Sequence, residues 1–242
     1  MKNTVKPYSA EGSKKSQVEK MFDNIASSYD FNNKILSLGI DKLWRKKLVT
    51  TIKKENPRFV LDVATGTADV AISLVQNIPD LKVVGIDISA GMLKKGEEKL
   101  QILKLNNQIE LRQEDSENLS FESNGFDAVT VAFGVRNFEN LSKGLQEIYR
   151  VLKPGGMILV LEFSKPSIQP ISGIYHFYFK KILPFVGRIT SKDNNAYTYL
   201  YESVQAFPEG KNFTNILDSL GYHSSKCRKL SFGICSLYTA YK

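Results

Sequence analysis

Two carboxylates and one glycine loop have the types and spacing to hold a nucleoside. Asp87 closes the apolar run Leu81–Asp87, and an aspartate just past a buried strand can accept hydrogen bonds from both hydroxyls of a ribose. Asp115 and Ser116 follow the run Gln108–Gln113, where a carboxylate and a hydroxyl can read the exocyclic amine of an adenine. The loop Asp62-Val63-Ala64-Thr65-Gly66-Thr67-Ala68-Asp69 places Gly66 and Thr67 where main-chain N–H groups at a helix start can approach a ligand. Each feature also has a plain structural alternative, with Thr67 capping the following helix and Asp87 capping the helix that begins at Ser89. Arg136 and Asn137 lie just past the fourth apolar run, where a second ligand would meet the first.

The rare residues narrow the chemistry further. The chain has two Cys (Cys227, Cys235) and two His (His176, His223), whose spacing matches no metal pattern and no disulfide framework. Reduced thiols, no metal, and acid–base chemistry that does not depend on histidine are the expectation. The +8 formal charge permits nucleic acid, an anionic membrane or a phosphorylated ligand and decides among none of them.

These side chains need a scaffold that gathers strand ends. Apolar runs at Arg58–Ala64, Leu81–Asp87, Gln108–Gln113, Phe126–Phe133 and Met157–Phe163 read as five strands. Helical spacing at Ala68–Gln76, Met92–Leu105 and Leu141–Leu152 separates most of them. Alternation of this kind predicts right-handed crossovers and a mainly parallel sheet with helices on both faces. Lys153-Pro154-Gly155-Gly156 should turn the chain into the fifth strand, and Gly221–Cys227 with Cys235–Tyr241 should add an antiparallel hairpin at the edge. The expected fold is a Rossmann-like, seven-stranded α/β domain over 17–242 after a flexible, lysine-rich arm over 1–16. A helical cap occupies 17–56, with apolar spacing through Val18, Met21, Phe22, Ile25, Ile35, Leu36 and Leu38, and with Asp41 capping the helix that carries Trp44 and Arg45. An aromatic insert over 168–207 interleaves Phe177, Phe179 and Phe185 with Lys180, Lys181, Arg188 and Lys192, which suits either a packed lid or a membrane boundary. The chain has no run of apolar residues long enough to span a bilayer and no secretory leader, so a soluble cytoplasmic protein is expected.

Taken together, D62-VATGTA, D87-ISAGML, F126-DAVTVAFGVRNF and Y149-RVLKPGG resemble class I S-adenosylmethionine-dependent methyltransferases. More narrowly, AFGVRNF, YRVLKPGGMILVLEFSKP, YTYLYESVQAFP and the N-terminal FDNIASSYDFNNKILSLGIDKLWR are similar to the quinone C-methyltransferases of menaquinone and ubiquinone biosynthesis, from about Val18 to Lys242. The resemblance implies S-adenosylmethionine as co-substrate, with Thr67 in the first loop, Asp87 on the ribose and Asp115 with Ser116 at the adenine. Ala132 stands where many relatives have serine, which leaves only a backbone contact, and Ala68 replaces a frequent glycine. A nicotinamide dinucleotide is the natural rival, but one true glycine suits a ligand without a pyrophosphate better.

The implied acceptor is a prenylated quinol, most simply demethylmenaquinol, with a 2-methoxy-6-polyprenyl-benzoquinol as the alternative ring. A ring carbon attacks only when its neighbouring hydroxyl ionises, and such a phenol resembles tyrosine with a pKa near ~10. One arginine about 4 Å away at an effective dielectric of ~20 offers roughly 4 kcal/mol, about three pKa units. Arg136 is therefore expected as electrostatic stabiliser and Asn137 as positioning donor, with a water or a nearby carboxylate taking the proton. Tyr29, Asp30, Trp44, Arg45, Tyr197, Tyr201 and Glu202 could close the site. An isoprenoid tail leaves the bilayer at great cost, so peripheral docking on an anionic membrane through Lys180, Lys181 and Arg188 is expected, with no nucleic-acid partner. Other readings are an RNA methyltransferase, which lacks its usual motif here, and a cofactor-binding protein without turnover. The sequence does not give the oligomeric state.

Overall fold

Pro57 removes a backbone donor just before the first buried run, and the chain extends from there. The computed structural model describes residues 5–9, 11–30, 39–166, 168–178 and 195–242. Its strands are β1 (Phe59–Val63), β2 (Lys82–Asp87), β3 (Ile109–Gln113), β4 (Phe126–Ala132), β5 (Leu152–Phe163), β6 (His223–Leu230) and β7 (Cys235–Tyr241). They form one seven-stranded sheet in the order β3-β2-β1-β4-β5-β7-β6. β1 to β5 pair in parallel, and β7 runs antiparallel between β5 and the edge strand β6. The expected mainly parallel sheet and its edge hairpin are both present. Winding reverses between β1 and β4, which opens a crevice at their carboxyl ends.

The helices are α1 (Lys14–Ile25), α2 (Asp41–Ile52), α3 (Asp69–Asn77), α4 (Ala90–Leu103), α5 (Leu141–Val151), α6 (Ile171–Phe177), α7 (Asn195–Ala206) and α8 (Lys211–Ser219). Alternation along each strand divides the core in two. Val60, Val83, Leu159 and Leu161 pack under α2, α3 and α4, with Trp44, Leu48 and Ile52 among the covering side chains. Leu61, Val84, Val129 and Ile158 pack under α5 and α8, with Leu145, Ile148, Phe213 and Leu217. A third cluster, Val18, Met21, Tyr175, Ala196, Tyr197 and Tyr199, joins α1, α6 and α7.

Three local expectations are corrected. Asp41 does not cap α2: the cap position is Ile40, and Asp41, one residue inside, pairs with Arg45 at 2.6 Å. Four residues of helix bring those two side chains onto one face. Lys153–Gly156 is no separate turn but a bulge within β5, between the pairs Phe126↔Leu152 and Ala128↔Met157. Gly155 takes φ +77 there. The arm read over 1–16 is helical from Lys14, because the Ser13 side chain accepts from the Ser16 N–H and starts α1. The expected contributions of Ile35, Leu36 and Leu38, and of Phe179, Lys180, Lys181, Phe185, Arg188 and Lys192, lie outside the described residues.

The crevice depends on one close approach. A Cβ at Gly134 would collide with the Ala64 methyl, so the loop after β4 can lie against the loop after β1 only with glycine there. Gly134→Ala should cost about 2 kcal/mol through forced displacement of those loops, read as a lower unfolding midpoint in denaturant.

Candidate active site

An open cleft with about 700 Å³ of empty space, including solvent at its mouth, lies at the carboxyl ends of β1, β2 and β4. Ala64, Gly66, Ala132 and Gly134 line it with little side-chain bulk, and Val18, Phe22, Met92, Phe133 and Phe138 give it apolar walls. Its charged lining is Asp87, Glu114, Asp115, Glu117 and Glu139 against Lys15. In a protein of net charge +8 this cleft is acidic. Carboxylates there repel a pyrophosphate and attract a cation.

Asp87 is held firmly in the cleft wall. It is 9% exposed, its Oδ2 accepts from Gly66 N–H at 2.8 Å and its Oδ1 from Ser89 N–H at 2.9 Å. An ionised carboxylate has about four lone-pair sites, so each oxygen keeps room for one more donor. Burial pushes its carboxyl up to about 6, against the lowering effect of the Ser89 and Gly66 amides. The alternative cap role falls to Ser89, whose side chain accepts from Met92 N–H. The loop that Gly66 belongs to is built tightly, since Ala64, Gly66 and Ala68 all have positive φ (54°, 57° and 65°). Ala68 takes a left-handed conformation, which glycine adopts more cheaply, at a cost of about 1 kcal/mol. Asp62 staples the loop from beneath, accepting from Thr65 and Thr130 hydroxyls at 2.6 Å each.

Thr67 is placed differently from Gly66. Its hydroxyl donates to Asp30 at 2.7 Å and accepts from Lys99 at 2.8 Å, and Lys99 also pairs with Asp30 and Asp69 at 2.7 Å. The side chain therefore ties the loop to the N-terminal segment and does not line the cleft. The cap position of α3 is Ala68, so Thr67 does not cap it either.

Asp115 and Ser116 line the cleft at the end of β3. Asp115 also carries a partner that the sequence gave no reason to expect, Lys15, whose Nζ lies 2.6 Å from Oδ2. The neighbouring Lys14 is buried at 7% exposure, and its Nζ donates to the Arg136 and Phe138 carbonyls at 2.8 and 2.9 Å. Burial, then the nearby Arg136, lowers the Lys14 ammonium to about 8. One turn of α1 thus holds the loop after β3 and the Arg136 loop together. Lys14→Met would strand two buried carbonyls, for an expected loss of about 2 kcal/mol and roughly 5 °C in Tm; an unchanged melting curve would contradict that clamp.

Arg136 and Asn137 sit on the single turn Val135–Asn137, but only Asn137 lines the cleft. The Tyr199 hydroxyl donates to Asn137 Oδ1 at 3.1 Å, which orients the amide and leaves Nδ2 to donate elsewhere. Tyr199 is 2% exposed, and burial raises its phenol well above the ordinary value, so it stays a donor. Arg136 is buried against Glu162, with NH1 to Oε1 at 2.7 Å, and the same nitrogen donates to the Phe133 carbonyl. Its Nε has no hydrogen-bond partner among the described residues. Glu162 is wholly buried, and that burial raises its carboxyl in spite of the guanidinium beside it.

The other expected closing residues divide. Tyr29 lines the cleft and Asp30 belongs to the Lys99 network. Trp44 packs on Phe133 and Phe163, Arg45 pairs with Asp41 and Asp69, Tyr197 is buried in the α1–α6–α7 cluster, and Glu202 is exposed. Glu162 was legible in principle, because a charge inside the apolar run MILVLEF needs a partner. Lys14, Lys15 and Tyr199 had no such signal.

Comparisons with known proteins show the family and the fold. The chain is 47% identical over 238 residues to a demethylmenaquinone methyltransferase of Bacteroides fragilis, covering 98% of this chain and 97% of that protein. It is 40% identical over 227 residues to the ubiquinone/menaquinone biosynthesis C-methyltransferase UbiE of Geotalea daltonii, covering 93% and 96%. Among solved structures, a SAM-dependent methyltransferase of Thermotoga maritima superposes with a TM-score of 0.67 at 16% identity, over 93% of this chain and 99% of that one, and so shares the fold. The model of the ubiE/COQ5 methyltransferase family matches residues 10–242, and the chain belongs to that family.

Proposed function

We propose that this chain transfers a methyl group from S-adenosylmethionine to a ring carbon of a prenylated quinol, with demethylmenaquinol as the acceptor. The observation that carries the reading is an acidic cleft at the carboxyl edge of the sheet, lined by Asp87, Asp115 and Asn137, with Arg136 next to Asn137 in the chain. The names of the relatives in Bacteroides fragilis and Geotalea daltonii support the quinone acceptor.

The donor supplies an electrophilic methyl on a sulfonium. Asp87 holds the ribose through the free lone pairs of its two oxygens, and Asp115 with Ser116 holds the adenine, with Gly66 and Thr67 shaping the first loop. The acidic lining suits a cationic ligand. The oriented Asn137 Nδ2 donates to the quinol oxygen and sets the ring. Arg136, with one N–H unsatisfied, stabilises the phenolate form of that oxygen and raises electron density at the neighbouring carbon. Tyr199 is a positioning residue that acts through Asn137, and the aromatic cluster of α6 and α7 keeps water away from the ring.

Glu162 fixes the guanidinium but also offsets its charge. Glu162→Gln keeps an acceptor for Arg136 and removes the opposing charge, so the acid limb of the pH–rate profile should move down by about one unit. A loss of turnover of roughly 100-fold at every pH would instead make Glu162 the proton acceptor.

The test of the reading is methyl transfer from S-adenosylmethionine to demethylmenaquinol, run beside the benzoquinol alternative and bulk RNA. Transfer to the naphthoquinol ring supports it, and transfer to RNA alone overturns it. A prenylated acceptor places the reaction at a membrane surface. No helix among the described residues is long and apolar enough to cross a bilayer. The expected docking residues Lys180, Lys181 and Arg188 lie outside the described residues.

A further inference from the structure

The carboxyl end of the sheet carries large apolar side chains in water. Leu43 is 65% exposed, Phe232 71% and Ile168 57%. They lie at one corner of the fold. Trp44 Nε1 donates to Ser231 Oγ at 2.8 Å, which brings the start of α2 against the β6–β7 turn and sets Leu43 and Phe232 each one residue from that bond. Pro166 lies against Gly233 in the same turn, and Ile168 follows two residues later.

The turn is built to present its ring. Ser231 and Phe232 both take positive φ, 44° and 58°, a conformation that glycine adopts at far lower cost than an aromatic residue. An outlier of this kind, with its side chain held in solvent, points to a function for the side chain. The patch is also ringed by cations. Lys42 and Lys46 are exposed on α2 beside Leu43, and exposed Lys229 reaches back towards Gly233. Asp41, the acid nearest Leu43 in sequence, is buried and paired with Arg45.

The corner adjoins the cleft. Trp44 packs on Phe133, and Phe133 lines the cleft. We propose that Leu43, Phe232 and Ile168, ringed by Lys42, Lys46 and Lys229, form the contact through which this chain docks on an anionic lipid bilayer. Apolar tips enter the headgroup boundary while the lysines meet lipid phosphates, and the site mouth then faces the layer that holds a prenylated acceptor. The inference rests on the proposed quinol reading, and apart from Ile168 it involves residues outside the insert over 168–207.

The test is co-sedimentation of the full chain with phosphatidylcholine vesicles made with and without phosphatidylglycerol. Methylation of a short-tailed quinol in vesicle-free buffer is measured beside it. Wild type should bind the anionic vesicles and lose them as salt rises. Leu43→Ser with Phe232→Ser, and separately Lys42→Glu with Lys46→Glu, should each lower binding about tenfold and leave the melting temperature and the short-tail activity unchanged. Equal vesicle binding by wild type and both variants, or none by wild type, overturns the surface while the short-tail activity stands. A variant that turns a dimeric wild type into a monomer would assign the patch to self-association instead. Absence of short-tail methylation in wild type would defeat the quinol reading itself, whatever the vesicles show.

Discussion

Asp87→Asn should weaken S-adenosylmethionine binding at least about 100-fold, because it removes the charged acceptor of two ribose hydroxyls. Hydrogen bonds to a charged group contribute about 1.5–3 kcal/mol each, and 2.7 kcal/mol is a factor of about 100. Asparagine makes matters worse than simple neutralisation. Gly66 N–H and Ser89 N–H each donate to one carboxylate oxygen, so one of them would face the new amide NH₂, donor against donor. The same geometry gives a pH dependence. Burial holds the Asp87 carboxyl at about 6, above its ordinary value, and only the ionised form accepts from both hydroxyls. Affinity should therefore be full above that pH and fall as pH drops through it, while the asparagine variant stays weak and flat. Calorimetry at two or three pH values checks both points, and a variant within a few-fold of wild type at neutral pH would remove Asp87 from the ribose.

Arg136→Ala should lower kcat by about tenfold with cofactor affinity unchanged, since Arg136 acts from behind the cleft wall and does not line it. The field of one guanidinium at ~8 Å and an effective dielectric of ~20 is worth roughly 2 kcal/mol. Glu162, at 2.7 Å, offsets part of it, so a loss of about 1.4 kcal/mol is expected. The surviving activity should need a higher pH, because the phenol ionises closer to its ordinary pKa. Burial already raises the Glu162 carboxyl, so without its partner that group takes a proton and the fold is retained. Arg136→Lys keeps a charge but not the planar guanidinium that lies over the Phe163 ring, and should recover only part of kcat. Turnover equal to wild type in both variants would leave Arg136 a structural ion pair and nothing more.

How far the sequence could be read follows from what each signal depends on. The parallel part of the sheet was legible because its central strands are apolar runs, and β1 to β5 formed on the five expected segments, β5 starting five residues earlier than its run. Asp87, Asp115, Ser116, Gly66 and Asn137 were legible because a parallel sheet sends its strand ends to one edge, and all five line the cleft. Lys14 and Lys15 were not. On a polar, patternless stretch nothing marks a lysine whose hydrogen bonds lie 122 residues away. Thr67 misled for a related reason: its position was right, but Asp30 and Lys99, distant in sequence, claim its hydroxyl. Arg136 was expected to face its substrate with a whole charge, and the long-range partner Glu162 changes that magnitude. Local pattern specifies elements and strand ends, whereas the pairing of charges across the fold depends on tertiary contacts.

The most direct measurement is single-turnover transfer of an isotopically labelled methyl from S-adenosylmethionine to demethylmenaquinol, with the product resolved by mass spectrometry and carbon NMR. The expected result is one labelled methyl on a ring carbon and an equal amount of S-adenosylhomocysteine, both lost together in Asp87→Asn. Label on a ring oxygen, or a quinol recovered unlabelled by folded protein that binds the donor, would contradict it.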